Sequence, residues 1–125
     1  MQRTTNLVIW QRSLDLAVRV NHLAATLRVT QLPGIANQIR RSASSIPANI
    51  AEGAGQESSA QFARFLSIAL ASAFELESHL VLIERIDRSH HGMPELLDEL
   101  QQLRKMLFVF RRRVQERRQG NGGRV

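Results

Sequence analysis

The side chains best suited to chemistry in this sequence are arginines, and they are concentrated near its carboxyl end. Residues 104–118 hold seven basic side chains and one acid, a balance equal to the whole net charge of +6. Arginine presents a planar fork of donors that binds phosphate or carboxylate through two parallel hydrogen bonds. The segment predicts an anion-binding surface, although a GC-rich genome would also favour arginine, and the sequence leaves both causes open. The candidate nucleic-acid-binding residues here are Arg111, Arg112, Arg113, Arg117 and Arg118. Phe110 and Val114 are expected to hold the inward face of this helix, which leaves at least two of the three consecutive arginines pointing outward.

A second candidate is the adjacent pair Arg40 and Arg41 in the first half of the chain. Two neighbouring guanidinium groups could bind one anion between them. The alternative is that both lie on a solvated or interfacial helix face and make ordinary ion pairs. That alternative carries more weight, because it is the usual role of surface arginines.

The residue types that support catalysis or metal binding do not occur in a suitable arrangement. A di-iron helical bundle needs Glu-x-x-His on two helices, whereas Glu75 and His79 are four residues apart and have no second such pair. The adjacent His90 and His91 are far more typical of a polar loop than of a metal site. No serine lies in a strained nucleophile turn beside a base, and the chain has no cysteine. We therefore expect no catalytic residue, no metal, no cofactor and no enzymatic activity.

Four segments of helical periodicity, separated by proline and glycine, must position the arginines. They predict helices near residues 7–28, 34–53, 58–88 and 94–118. The third segment repeats apolar residues at alternating four and three spacing from Phe62 to Ile83, which is a heptad seam. The fold class expected is all-α, an antiparallel up-and-down four-helix bundle formed by one domain, residues 1–118. Residues 119–125 are expected to form a flexible tail.

The ends of the second and third helices carry local signals. Ser58 with Gln61 three residues later is a capping-box pattern, and Gly53 and Gly55 predict a left-handed end to the second helix. Pro47 lies inside that helix and predicts a kink. The five phenylalanines fall mostly on core positions, so no aromatic platform for stacking bases is expected.

Two segments resemble a known family: QIRRSASSIPANIAEG at residues 38–53 and FARFLSIALASAFELE at residues 62–77. They are similar to the four-helix-bundle family named after the 23S ribosomal RNA intervening-sequence proteins, with a resemblance from about Trp10 to Ile86. It implies a small homopentamer whose biochemical activity is undetermined. A distant relative of the same shape, the accessory protein of diversity-generating retroelements, binds a reverse transcriptase and nucleic acid.

The first and third helices carry more apolar residues than one core face requires. We expect the excess to bury against other copies of the chain, although burial of the first helix among its own neighbours stays open. The candidate oligomer-interface residues are Trp10, Leu14, Phe65 and Phe74. No apolar run approaches the ~18 residues that span a membrane, and the first residues do not look like a signal peptide. We expect no membrane partner and a cytoplasmic location.

Two functions fit these observations. The first is a non-enzymatic oligomeric scaffold that binds RNA, DNA or a ribonucleoprotein through its arginine-rich surface, with a reverse transcriptase as one possible protein partner. The alternative is a protein-interaction adaptor that presents Arg40, Arg41 and Arg64 to an acidic protein and has no nucleic-acid contact. Salt-dependent binding of nucleic acid would separate the two.

Overall fold

The computed structural model describes residues 7–27 and 33–122, with side chains described as far as Arg117. The four predicted helices are confirmed, and no strand occurs in the described residues. The helices are α1 (Val8–Thr26), α2 (Ile35–Ala54), α3 (Ser59–Ile86) and α4 (Met93–Gly122). The α4 helix therefore continues past its predicted end at residue 118. Residues 123–125 lie outside the described residues, and the flexible tail stays a prediction.

The helices form a closed ring in which each packs on its neighbours in sequence and α1 also packs on α4. Two contacts in each pair show antiparallel neighbours: Ser45–Ser72 and Gly53–Phe65 join α2 to α3, and Ser67–Arg111 and Glu77–Arg104 join α3 to α4. Within the described ranges the diagonal pairs, α1 with α3 and α2 with α4, have no Cα atoms within 8 Å of each other. The fold is thus an all-α bundle, and α2 is separated from the arginines of α4.

The core consists of apolar residues from all four helices, and it includes the predicted seam of α3. In α3 the seam is fully buried apart from Phe62 at its start, which is half-buried and meets the Phe110 ring edge-on at 5.4 Å between centroids. The three buried polar side chains all have partners. Ser13 donates to Trp10 O at 2.7 Å, Ser42 donates to Gln38 O at 2.8 Å, and Ser72 bonds Ser45 through their hydroxyls at 2.8 Å. The largest fully buried residues are Leu16, Val20, Ile39, Ile46, Ile50, Leu66, Leu76, Leu80, Met93, Leu100, Leu103 and Leu107.

The helix ends confirm one local prediction and correct another. Ser58 caps α3 by accepting a hydrogen bond from the Gln61 amide at 3.1 Å, as expected. The left-handed end of α2 is wrong, because the positive-φ glycines of the described chain are Gly34 and Gly92. Gly53 lies inside α2, and Gly55 caps it with a right-handed φ of −81°. The α2 helix continues through the buried Pro47, and the kink stays a prediction.

The reason for glycine at position 53 is the close approach of α3. A Cβ at this position would lie 2.8 Å from Phe62 Cδ1, 2.9 Å from Phe65 Cβ and 3.2 Å from the Phe62 carbonyl oxygen. Carbon atoms pack at about 3.5–4.0 Å, so no side chain fits there without moving α3. Gly53 thus sets the distance between two helices, and its role is not that of a turn.

By length and composition, α3 would be able to cross a membrane. This ability comes from the high mean hydropathy of α3, although polar residues interrupt its apolar runs. A search for one continuous apolar run therefore does not find it. Its seam is buried in the bundle, the arrangement typical of a core helix. The absence of a membrane partner stays a prediction.

Arg12 closes the ring by joining α1 to α4. Its Nε donates to Glu99 Oε1 and its Nη2 to Glu99 Oε2, both at 2.9 Å. The same guanidinium donates to Gln102 Oε1 at 3.0 Å and contacts Met106 Sδ at 3.1 Å. A two-pronged pair of this kind is stronger than a single ion contact, and it is partly shielded, since the two side chains are 32% and 26% exposed.

Replacing Glu99 by glutamine is expected to lower the free energy of unfolding by about 1–2 kcal/mol, because one charged hydrogen bond is lost and the other weakened. Urea denaturation followed by circular dichroism measures the change. Glu116→Gln is the matched control, since Glu116 lies 3.6 Å from Arg112 with both side chains mostly exposed. Such exposed pairs contribute about 0–1 kcal/mol. Equal losses of unfolding free energy in the two variants would therefore contradict a stabilising role for the Arg12–Glu99 pair, which we call the Arg12–Glu99 clamp.

Candidate nucleic-acid interface

The arginines of α4 spread around the part of the helix that does not face the core. Val114 is fully buried and Phe110 is half-buried, which confirms that these two hold the inward face. Arg112, Arg113 and Arg117 are exposed. Arg118 belongs to α4, and its side chain lies outside the described ones. At least two of the three consecutive arginines therefore point outward, as predicted.

Arg111 differs from its neighbours, because it packs against α3. Its Nη1 donates to Ser67 Oγ at 3.3 Å, and its guanidinium carbon lies 5.4 Å from the centre of the Phe108 ring. The side chain is half-buried, and its Nε has no acceptor in the described part of the chain. Arg111 is thus a cation held against α3. The exposed arginines in the described part of α4 make no such contact with α3 and can adapt to a ligand.

Arg104 repeats this arrangement two turns earlier. Its guanidinium carbon lies 4.7 Å from the centre of the Phe74 ring, within the range of a cation–π contact. Its Nη2 is 3.7 Å from Glu77 Oε2, and its Nε also has no described acceptor. Sequence reasoning did not select Arg104 as a site residue. The signal available was its spacing of seven residues from Arg111, which places both on one side of α4.

A depression lies beside Arg104, between the Phe74 and Phe108 rings. It has a volume of about 280 Å³ and is lined by Leu70, Phe74, Arg104, Lys105, Phe108 and Val109. We call the cationic residues of α4 the basic surface: Arg104, Lys105, Arg111, Arg112, Arg113 and Arg117. Within the described ranges, the acids paired with the basic surface are Glu77, beside Arg104, and Glu116, beside Arg112, so most of its cations have no paired acid.

Two of the five phenylalanines are exceptions to the expectation that these residues fall mostly on core positions, and one of the two, Phe74, is also an interface candidate. Phe74 is 50% exposed and Phe108 is 48% exposed, and both rings lie beside the basic surface. The seam explains this: Ala73 and Leu76 fill the core next to Phe74, and Leu107 fills it next to Phe108. Each ring is thus displaced to the outer edge of the α3–α4 contact. Two exposed aromatic rings therefore lie beside the basic surface, where no exposed ring was expected.

Arg40 and Arg41 do not join the basic surface, because they lie on α2, diagonally across the bundle from α4. Arg40 is half-buried and Arg41 is exposed. Arg41 lines a polar cleft of about 760 Å³ between α2 and α3, beside serine hydroxyls and the Glu75–His79 pair, whose Oε1 and Nε2 are 3.7 Å apart. The sequence-predicted site therefore separates into two surfaces.

The histidines likewise do not assemble a metal centre. Among the described residues, no cluster of three or more histidine, aspartate or glutamate side chains could hold a metal ion. His90 Nε2 lies 3.8 Å from Asp87 Oδ2, and His22, His90 and His91 border a cleft of about 480 Å³ at the opposite end of the bundle from the arginine run. The expectations of no metal and no cofactor stay predictions.

The four interface candidates occupy two kinds of position. Leu14 and Phe74 are exposed, whereas Trp10 and Phe65 are half-buried, and Trp10 packs against the core. Val8 and Val18 are also exposed on α1, which confirms that this helix carries apolar surface beyond its own core face. Whether these residues meet another copy stays a prediction.

Comparisons with known proteins give one consistent family. The model of the family described as 23S rRNA-intervening sequence protein matches residues 5–109. A crystal structure from Bacteroides thetaiotaomicron, described as a protein with unknown function from the S23 ribosomal protein family, is 32% identical, with a TM-score of 0.74 over 82% of this chain and 97% of that chain. No curated protein matches the chain. The run from Arg111 to Arg117 lies beyond the residues that the family model matches.

Proposed function

The chain belongs to the family of 23S rRNA-intervening sequence proteins, and from this premise we propose that it is a non-enzymatic oligomeric scaffold that binds nucleic acid or a ribonucleoprotein through the basic surface. The observation that carries the proposal is the exposure of Arg112, Arg113 and Arg117 on one helix with a single neighbouring acid. Crowded like charges repel one another, and a bound polyanion relieves that repulsion.

A purely structural role explains only part of this charge. Cations in the last turn of a helix stabilise it by about 0.3–1 kcal/mol each, and the effect fades beyond that turn. The α4 helix continues to Gly122, so Arg112 and Arg113 lie more than one turn before its end. Their charge therefore contributes little to helix stability, and an anionic ligand accounts for it better.

Assembly into an oligomer would multiply the basic surface. The exposed Val8, Leu14 and Val18 on α1 offer an apolar contact to a second copy. A pentamer is the number that the family resemblance implies. Several basic surfaces on one particle would turn a weak contact per subunit into useful avidity on a long nucleic acid.

The alternative function, an adaptor for an acidic protein, is favoured by one observation. Arg41 is exposed beside a polar cleft on α2 and α3, on the side of the bundle away from α4. An acidic peptide seated there would not use the basic surface at all. Arg41→Gln would weaken the adaptor interaction and leave nucleic-acid binding unchanged.

The test is fluorescence anisotropy of the wild-type protein with mixed-sequence RNA and DNA as the salt concentration rises. We expect a linear fall of log K with log salt, at a slope of roughly −4 to −5 if six cations contact phosphates, since each contributes about 0.7–0.9. Absence of binding at low salt would refute the nucleic-acid function and favour the adaptor. Light scattering on the same sample gives the mass, and a single species of 14.1 kDa would contradict the oligomer.

A further inference from the structure

We propose that the surface beside α4 selects single-stranded nucleic acid, with Phe74 and Phe108 as platforms on which unpaired bases stack. This inference rests on the proposed function, and it names the substrate class of the same surface. The observations that carry it are the exposure of the two rings and the cations held against them. Stacked bases gain affinity from aromatic faces of this kind without any reading of sequence.

The two rings are exposed where a bundle core would normally cover them. About half of each ring side chain is open to water, at 50% for Phe74 and 48% for Phe108. Exposed apolar surface beside charge commonly marks an interaction site. A base seated on either ring would cover that surface, so the position of the rings is explained by a flat apolar ligand.

The cations next to the rings are held in place by the bundle, and Arg104 also lies 3.7 Å from the Glu77 carboxylate. The guanidinium of Arg104 lies against Phe74 at 4.7 Å, and that of Arg111 lies against Phe108 at 5.4 Å. Each Nε is buried and lacks an acceptor in the described part of the chain, so a phosphate would be met by the outer nitrogens of each guanidinium. The two residues are seven positions apart, which is about 10.5 Å along a helix. A strand following α4 would therefore meet ring and cation twice in succession.

The depression between the rings suits a base better than a larger ligand. Its volume of about 280 Å³ is below the ~300–1,000 Å³ of pockets that enclose small molecules. Its lining combines the apolar Leu70 and Val109 with the cationic Arg104 and Lys105. A planar base would lie against the apolar side chains, with its phosphate near the cations.

Duplexes cannot use this arrangement, because their bases are stacked on each other and only their edges are accessible. A duplex would contact the cations alone. A two-fold contact between copies fits less well, since it would bring Arg104, Lys105 and Arg111 against their own equivalents. The head-to-tail contact of a ring would place this surface against a different face of the next copy, and light scattering of F74L/F108L tests that alternative. The combination of rings and cations therefore favours a single strand.

The experiment compares three probes of equal length: a mixed-sequence single strand, the duplex of that sequence, and an abasic single strand. Wild-type protein is expected to bind the single strand more tightly than the other two. The variant F74L/F108L keeps apolar side chains but removes both rings, and it is expected to lose at least about tenfold in affinity for the single strand only. The variant F74W/F108W keeps aromatic faces and is expected to retain or exceed wild-type affinity.

Each result bears on the proposal. Unchanged single-strand binding by F74L/F108L, or equal wild-type affinity for single strand and abasic strand, overturns the stacking inference and leaves charge-driven binding standing. No binding of any probe by the wild type overturns the proposed function as well. A smaller particle in light scattering of F74L/F108L, with oligonucleotide affinity unchanged, would assign the rings to a second copy and also overturn the inference.

Discussion

Changing Arg112, Arg113 and Arg117 together to glutamine is expected to weaken binding of RNA and DNA by roughly a hundredfold or more at moderate salt. These three side chains are exposed and adaptable, and glutamine keeps helix propensity while removing the charge. Each lost phosphate contact lowers the slope of log K against log salt by about 0.7–0.9, so the slope should fall by roughly 2–3. Arg111 stays in place, because it packs on Ser67 and Phe108 and its loss would disturb the α3–α4 contact.

The matched control removes the same charge from the opposite end of the bundle. Arg19, Arg85 and Arg88 are exposed there, near the end of α1 and around the end of α3. Their change to glutamine should leave affinity and salt slope close to those of the wild type. An equal loss in both triple variants would mean that total charge, and not the basic surface, drives binding. Circular dichroism and light scattering check helicity and particle size in each case.

Gly53→Ala is expected to lower the free energy of unfolding by at least about 1–3 kcal/mol, the range for overpacking a tight contact. The new methyl group would meet Phe65 Cβ at 2.9 Å and the Phe62 carbonyl oxygen at 3.2 Å. Neither atom is the far end of a flexible side chain, so relief requires α3 to shift from α2. Thermal unfolding followed by circular dichroism should show a midpoint lower by roughly 4 °C per kcal/mol.

Gly55→Ala is the control for this substitution, two residues further along. Its φ of −81° is open to any residue, and an added Cβ would lie at an ordinary 3.6 Å from the carbonyl oxygens of Ala51 and Glu52. We expect unchanged stability or a gain of up to ~1 kcal/mol, since alanine restricts the unfolded chain. Similar losses at both glycines would show that helix termination, and not helix spacing, explains Gly53.

The four helices were predictable because the signals that specify them lie between residues close together in the sequence. Apolar spacing placed the four helices within a few residues, and the Ser58 cap follows from two side chains three positions apart. Gly53 was misinterpreted for the same reason. Local rules assign a glycine after a helical segment to a left-handed end, whereas here the requirement comes from Phe62 and Phe65 on the next helix. Only the packing of α2 on α3 reveals it.

The positive charge of the candidate site was predictable from the sequence, whereas the contacts of Arg111 and the exposed rings beside it were not. The sequence located the arginine run and its outward orientation. It did not show that Arg111 reaches back to Ser67, because that contact joins residues 44 positions apart. The exposure of Phe74 and Phe108 depended on which neighbouring residues fill the seam, and several assignments satisfy the same periodicity. The pairing of rings with Arg104 and Arg111 therefore needed the three-dimensional arrangement.

The Arg12–Glu99 clamp has a kinetic consequence. It joins residues 87 positions apart, and the α1–α4 contact is less extensive than those between helices adjacent in sequence. Closing so long a loop costs conformational entropy. The contacts that offset this cost form only after the other helices have docked. The clamp is then absent from the transition state for folding, so Glu99→Gln should accelerate unfolding while the refolding rate stays nearly constant. How long a bundle lasts before it opens then depends on the parting of α1 from α4, the least extensive of its helix contacts.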